Sequence, residues 1–445
     1  MPTQLELFRT HADSAQTHAE YGTFKDSLRA PIHRWFQYPA GYSYKLIEAK
    51  IREYRLGERS WILDPFVGCG TTAVVAKMLG VNSRGIEAHP FVYEIAQVKT
   101  FWEFDLTKLN QTISHVCQLA TVAIQNGGLK KADLASLPVL VHKCYSPENL
   151  ARLVVIRETI KRVKDPRIKG FLNLALTATL RNAAKVATGW PYIAPTKLHE
   201  RAREKNGLDE FCLQVRRMSE DIVYAAENRA NEQAVCQIIQ GDARNFSDHV
   251  PANNADLAVT SPPYLNNYDY ADRTRLETYF FGLMSSWGEI TKKIRNQLMM
   301  SATTQINRTA YDEEALIAQE VKDASPKVYH QLLSSVAKLR ELRKQKGGKK
   351  NYDILVAGYF NDMLQVVKQV YRSLKAHTDF VLVLGDSAPY GVHVPTEIYL
   401  GELAKGVGFS EYRIEPLRTR GGKWAKNPQR HNVPLRESIL VLSKS

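Results

Sequence analysis

The 445-residue chain predicts an α/β fold, a doubly wound and mainly parallel sheet with a large helical insertion. Three observations carry that expectation. An apolar run, Trp61-Ile62-Leu63, ends on Asp64-Pro65 and breaks at once into the glycine-rich turn Val67-Gly68-Cys69-Gly70-Thr71-Thr72 before helical residues begin. Apolar runs ending in an acid then recur at Ile86-Glu87 and Ile238-Ile239-Gln240-Gly241-Asp242. The last hundred residues alternate helical and strand-like patterns, which places helices on both faces of a mostly parallel sheet.

In chain order, residues 1–30 are polar and weakly patterned and read as an N-terminal arm. The aromatic loop Trp35-Phe36-Gln37-Tyr38-Pro39-Ala40-Gly41-Tyr42 follows, then a helix over Tyr44 to Ile51. After Asp64, Gly68 and Gly70 permit a tight turn with no Cβ beside a ligand, Thr71 or Thr72 is a suitable N-cap, and Ala73 to Leu79 continues as helix. Ser83 to Ala88 reads as a second strand. Its Glu87 stands 23 residues after Asp64, the spacing that puts a carboxylate at the end of the next parallel strand, where it can accept from both ribose hydroxyls. Residues 101–235 look almost entirely helical, as in Leu153, Ile156, Ile160 and Val163, and form an insertion. Within it, Arg181, Lys185, Lys197, Arg201, Arg203 and Lys205 interleave with Trp190, Tyr192 and His199, a composition suited to nucleic acid. Strands resume at 235–240 and 255–260, the latter stopping at Ser261-Pro262-Pro263-Tyr264. Residues 291–350 read as a second, basic helical insertion, with Lys338, Arg340, Arg343, Lys344, Lys346, Lys349 and Lys350 near its end. Helices over 352–374 and 395–406 and strands at 379–386, 412–417 and 437–442 complete the pattern.

Composition bounds the function. An apolar fraction of 44% and a charged fraction of 24% belong to an ordinary globular protein, and a net charge of +14 favours a polyanionic partner. No apolar stretch reaches spanning length and the first residues lack a basic start followed by an apolar core, so no membrane role is expected and the cytoplasm is the default. The five cysteines, Cys69, Cys117, Cys144, Cys212 and Cys236, have no metal-type spacing, so neither disulfides nor a metal site is expected. Cys69 has no identifiable base beside it and reads as a small residue of the turn.

Ser261-Pro262-Pro263-Tyr264 is the most specific signal. Two consecutive prolines fix the backbone and remove two donors, leaving a rigid set of acceptors at a strand end. An exocyclic base amine has its lone pair delocalised into the ring; bonds from its N–H groups to the Ser261 hydroxyl and Pro262 carbonyl would localise it for attack on a methyl group. Tyr264 would stack on a base taken out of the helix.

Together, Asp64-Pro65-Phe66-x-Gly68-x-Gly70-Thr71-Thr72, Glu87, Asp242 and Ser261-Pro262-Pro263-Tyr264 resemble the S-adenosylmethionine-dependent amino methyltransferases of DNA, which modify cytosine N4 or adenine N6. The resemblance covers residues 33–100 and 236–290 well and 352–445 more loosely, and it leaves out both insertions. It implies a Rossmann-like methyltransferase domain made of 31–100, 236–290 and 351–445. It also implies that Asp64, Phe66, Gly68 and Gly70 line the methionine end of S-adenosylmethionine, with Thr71 or Thr72 adding a contact, and that Tyr38 belongs to the family's upstream cofactor motif. Glu87 would hold the ribose and Asp242 the adenine amine, while Ser261, Pro262, Pro263 and Tyr264 serve the target base. The implied reaction is a direct in-line displacement at the methyl carbon, without a metal. A serine opening the proline motif accompanies cytosine N4 transfer more often than adenine N6 transfer in this family. The implied partners are double-stranded DNA with a flipped base and a cognate restriction endonuclease. An adenine-N6 enzyme, an RNA base methyltransferase and a non-catalytic DNA-binding specificity protein are the alternatives. The insertion at 101–235 is the first candidate for target recognition, the basic 291–350 segment the second.

Overall fold

A computed structural model describes residues 21–38, 41–188, 193–198, 204–347, 350–420 and 433–445. Seven strands form one sheet: β1 (Trp61–Asp64), β2 (Asn82–Glu87), β3 (Cys236–Gln240), β4 (Leu257–Thr260), β5 (Thr378–Gly385), β6 (Glu411–Arg420) and β7 (Leu435–Lys444). Their order across the sheet is β3-β2-β1-β4-β5-β7-β6. The five strands from β3 to β5 run parallel, whereas β7 is antiparallel to both its neighbours. The chain builds outward from β1 in one direction and returns to build from β4 in the other. The crevice outside the ends of β1 and β4 is therefore a topological switch point, the usual ligand position in an open α/β sheet.

Burial on both faces explains the near-continuous apolar strands. Along β5, Phe380, Leu382 and Leu384 join one core, and Val381 and Val383 join the core on the opposite face. The first face is covered by α9 (Tyr352–Ser373), α8 (Pro326–Gln345) and α10 (Thr396–Val407). The second is covered by α1 (Tyr44–Glu53) and α2 (Thr71–Met78). A third core joins α3 (Pro90–Thr100) to four helices of the insertion: α4 (Leu106–Ala123), α5 (Pro147–Lys161), α6 (Pro166–Asn182) and α7 (Gly207–Asn228). Each of these four begins on a side chain that accepts a first-turn N–H: Asp105, Ser146, Asp165 and Asn206. Trp35, Tyr38 and Phe91 belong to the same core, so the insertion packs directly on the aromatic loop.

Several expectations are refined or corrected. Residues 21–30, the described part of the N-terminal arm, are packed: Phe24, Ser27 and Ala30 are buried, and the Ser43 N–H donates to the Tyr21 carbonyl at 2.9 Å. The 101–235 stretch is mainly helical and also holds a short antiparallel pair, Val186–Ala187 with Ala194–Leu198. The 291–350 stretch is helical only at its ends. Between Lys293 and Gln319 it has short 3-10 turns, because side chains claim its backbone groups: Gln305 accepts from the Ser301 and Ala302 N–H groups at 2.8 Å each, and Asp362 of α9 accepts from Met300 N–H at 2.7 Å. Helix α2 is preceded by Gly70 at φ 91°, so the N-cap is the glycine and not a threonine.

Candidate active site

The turn after β1 wraps tightly because β2 comes close beneath it. The Val67 N–H donates to the Ile86 carbonyl at 3.0 Å, and a Cβ at Gly85 would lie 2.6 Å from Val67 carbons, so the strand passes only as glycine. Gly68, at φ 54°, takes a left-handed conformation against the Tyr38 ring. Above this turn a cleft opens at the switch point. Tyr38, Phe66, Gly68, Thr71, Glu87, Asp242, Ser261 and Pro263 all line it, drawn from segments more than two hundred residues apart in the chain.

Asp64, Gly70, Thr72, Pro262 and Tyr264 are not among its walls. Asp64 is 1% exposed and turns inward. Its Oδ1 accepts from Thr260 Oγ1 at 2.6 Å and Phe66 N–H at 3.0 Å, and its Oδ2 accepts from Thr72 Oγ1 at 2.5 Å and the Tyr42 hydroxyl at 2.8 Å. Burial pushes this carboxyl above the usual range, while the four donors pull the other way. Asp64 is thus the strut that ties β1, β4, α2 and the aromatic loop together beneath the cleft. Gly70 faces Ala96 of α3. Pro39 and Ala40 of the expected aromatic motif lie outside the described residues.

Glu87 stands at the cleft wall, partly exposed, with its Oε1 accepting from His89 N–H at 2.7 Å. Low-polarity surroundings push its carboxyl up to about 7, the nearby Asp64 adding to the shift while backbone donors oppose it. Asp242 also reaches the cleft, but Arg244 clasps it, with Nη2 at 2.6 Å and Nε at 2.9 Å from Oδ2, and also grips Asp362 at 3.1 Å. Ser261 follows the last residue of β4, and Tyr264 turns its hydroxyl away to donate to Glu437 Oε1 at 2.7 Å.

Some cleft residues carried no sequence signal. His89 is fully buried, donates or accepts at Thr274 Oγ1 over 2.7 Å, and is driven to about 4 by burial, so it is a neutral ring. Tyr270 faces Tyr38 at 6.3 Å between ring centroids, and Leu298 and Met299 arrive from the irregular part of the second insertion. Cys69 does have a partner, since the fully buried Lys99 Nζ lies 3.6 Å from its Sγ. Burial lowers that amine below the usual lysine range. No cluster of three or more metal-type ligands occurs among the described residues, and no described helix is long and apolar enough to cross a membrane.

Similarity to known proteins matches this arrangement. A family model described as a DNA methylase, of the N6/N4 amino type, matches residues 9–98, the segment that carries the aromatic loop, the glycine turn and Glu87. Over that segment the chain is similar to the DNA amino methyltransferases. Type II methyltransferase M.BsoBI of Geobacillus stearothermophilus is 24% identical, over 95% of this chain and 87% of that protein. Type II methyltransferase M.AvaI of a Nostoc species is 23% identical over 95% and 88%. Type II methyltransferase M.MvaI of Kocuria varians is 22% identical over 95% and 93%. These matches span both insertions. Among solved structures, an rRNA methyltransferase of Streptomyces viridochromogenes pairs with 96% of each chain at 11% identity and a TM-score of 0.28, and the fold class here rests on the strand order instead.

The methyl donor of this family suits the cleft. Two carboxylates (Glu87 and Asp242) and aromatic walls (Tyr38, Tyr270) around a side-chain-free turn have the chemistry to hold a nucleoside with a short charged tail.

Proposed function

We propose that this protein transfers a methyl group from S-adenosylmethionine to the N4 amine of cytosine in double-stranded DNA. It would protect a sequence that a companion restriction endonuclease cuts. One observation carries the reading: Ser261, opening the rigid proline strand end, meets Glu87 and Asp242 in one cleft at the switch point. When bound, S-adenosylmethionine supplies an electrophilic methyl carbon. Glu87 holds the ribose diol, Asp242 faces the adenine amine, and Tyr38 covers the bare Gly68 turn at the methionine end. Ser261 and the Pro262 carbonyl accept the N–H groups of the target amine and localise its lone pair. Tyr264, three residues further on, would stack on the extruded cytosine. The serine in place of an acidic or amide residue favours cytosine over adenine.

The test is incubation with tritiated S-adenosylmethionine and mixed-sequence duplex DNA, followed by nucleoside analysis. N4-methylcytosine is the expected product. N6-methyladenine in its place would overturn the base assignment, and label on structured RNA alone would overturn the choice of substrate.

A further inference from the structure

A second opening lies next to Tyr264, lined by the residues that follow it, Leu265, Asn266 and Asn267. The backbone that follows Tyr264 forms one wall through Asn266, the end of α8 supplies Lys346, and the loop after β5 supplies Asp386 and Tyr390. Tyr352 and Arg420 close it. Four features make it unlike a chance surface hollow.

Its free charge is cationic. Lys346 is exposed and follows Arg343 and Lys344 in the last turn of α8, and Arg420 ends β6. The Asp386 carboxylate is already taken, by His393 Nε2 at 2.8 Å and the Arg436 N–H at 2.7 Å. Its aromatic wall is organised, with the Tyr352 and Tyr390 rings perpendicular at 4.7 Å. Cations beside aromatic faces are the physical requirements of a single-stranded nucleic-acid track. Two non-glycine residues on its walls sit at left-handed φ, Asn266 at 58° and Tyr390 at 50°, a cost that persists where surrounding structure enforces it and that clusters at functional sites.

The fourth feature is the place of Arg420. Its guanidinium carbon lies 5.0 Å from the centroid of the Tyr264 ring, and its Nη1 donates to the Asp386 carbonyl at 3.3 Å. Gly385 makes room for it, since a Cβ there would strike the Arg420 head group. A planar cation therefore covers the aromatic ring on which the target base is to stack.

In the helical insertion, two of the basic residues that the sequence singles out are already paired. Its Arg181 is bound to buried Glu277 at 2.5 Å and to the Arg273 carbonyl at 2.6 Å, and Lys205 pairs with Glu210. Arg201, Arg203, Trp190, Tyr192 and His199 lie outside the described residues.

We propose that this groove, and not the 101–235 insertion, carries the DNA strand flanking the target nucleotide, with Lys346 and Arg420 on its phosphates. Arg420 covers Tyr264 until the extruded base displaces it. The inference rests on the methyltransferase reading and refines its DNA-binding surface.

The experiment measures binding of a labelled duplex that wild-type protein methylates, across a salt series. Full-length Lys346→Glu, Arg420→Ala, Arg420→Lys and Lys205→Glu proteins are compared, with cofactor affinity by calorimetry in parallel. Lys346→Glu and Arg420→Ala are expected to weaken DNA binding roughly tenfold or more and to flatten the salt slope by about one unit each. Cofactor affinity should stay at the wild-type value in both, which also shows that the variants are folded. Arg420→Lys keeps the charge and should recover most of the affinity, and Lys205→Glu should behave as wild type. Wild-type DNA affinity and slope in both groove variants would overturn the inference while leaving the enzyme reading intact, as would loss of binding in Lys205→Glu alone. A wild-type protein that neither binds nor methylates duplex DNA would overturn both.

Discussion

A carboxyl at the mouth of a low-polarity cleft is held between two states, and Glu87 is such a group. In the free protein burial raises it to about 7, whereas two ribose hydroxyls donating to it favour the charged form. Cofactor binding should therefore release a proton, so affinity rises as pH increases through about 7 and levels off above it; Glu87→Gln should bind more weakly and lose that pH dependence in calorimetry. The same shift has a consequence for folding. A carboxyl raised above its unfolded value of about 4.3 contributes stability that is fully present below that value and lost as pH rises through 7. The unliganded protein should lose this contribution between about pH 5 and 8 in thermal melts, and Glu87→Gln should keep it. The residues at the proline strand end call for a different signature. Ser261→Ala and Tyr264→Ala should cut methyl transfer on the order of a hundredfold or more while cofactor affinity persists, because neither acts on the donor. A loss of cofactor affinity in these variants would show that the two halves of the site have been exchanged.

At the scale of elements, the insertion and the cofactor loop are joined by one buried carboxylate. Asp221, on α7 and 1% exposed, accepts from the Ile32 N–H at 3.0 Å, Trp35 Nε1 at 2.8 Å, and Arg34 Nε at 3.0 Å and Nη2 at 2.5 Å. These donors belong to the segment that runs into Tyr38, so the helix sets where that ring stands over Gly68. Asp221→Ala leaves buried donors and a guanidinium without an acceptor and should cost about 3–5 kcal/mol in unfolding experiments. Cofactor affinity should fall with it, by more than in an equally destabilising core substitution at Leu332, which lies far from the loop in the core beneath α8 and α9. Nothing in the pattern of α7 marks Asp221, because a single acid on an amphipathic helix reads as a solvent-facing residue until its partners are known. Asp64 was misplaced for a related reason. Its position at a strand end is plain from Ile62-Leu63-Asp64-Pro65, but whether its carboxylate looks into the cleft or under it depends on Thr260, Thr72 and Tyr42, which only the fold brings within reach.

For the whole molecule, the net charge of +14 and the cationic groove make the same demand on DNA binding. If six or more phosphates are neutralised, affinity should fall on the order of a thousandfold between 50 and 200 mM salt, linearly in a double-logarithmic plot; a nearly flat line would argue against a backbone-dominated interface. The α/β class and the mainly parallel sheet were legible in the chain, whereas the order of the strands came only with the fold. Strand ends with acids, a glycine turn and a double proline are local devices, and each is written within about ten consecutive residues. The irregular path from Lys293 to Gln319 was not legible, since Gln305 and Asp362 hold it through contacts that helical propensity does not register. Nor was the second groove, whose walls come from segments far apart in the chain. By itself the sequence determined the local devices, the glycine turn, the strand-end acids and the double proline, because turn residues and polar groups are specified one by one. Tertiary structure alone decided which carboxylates face the ligand, which cations remain unspent and what covers Tyr264, because those depend on which donors and acceptors the packing brings together.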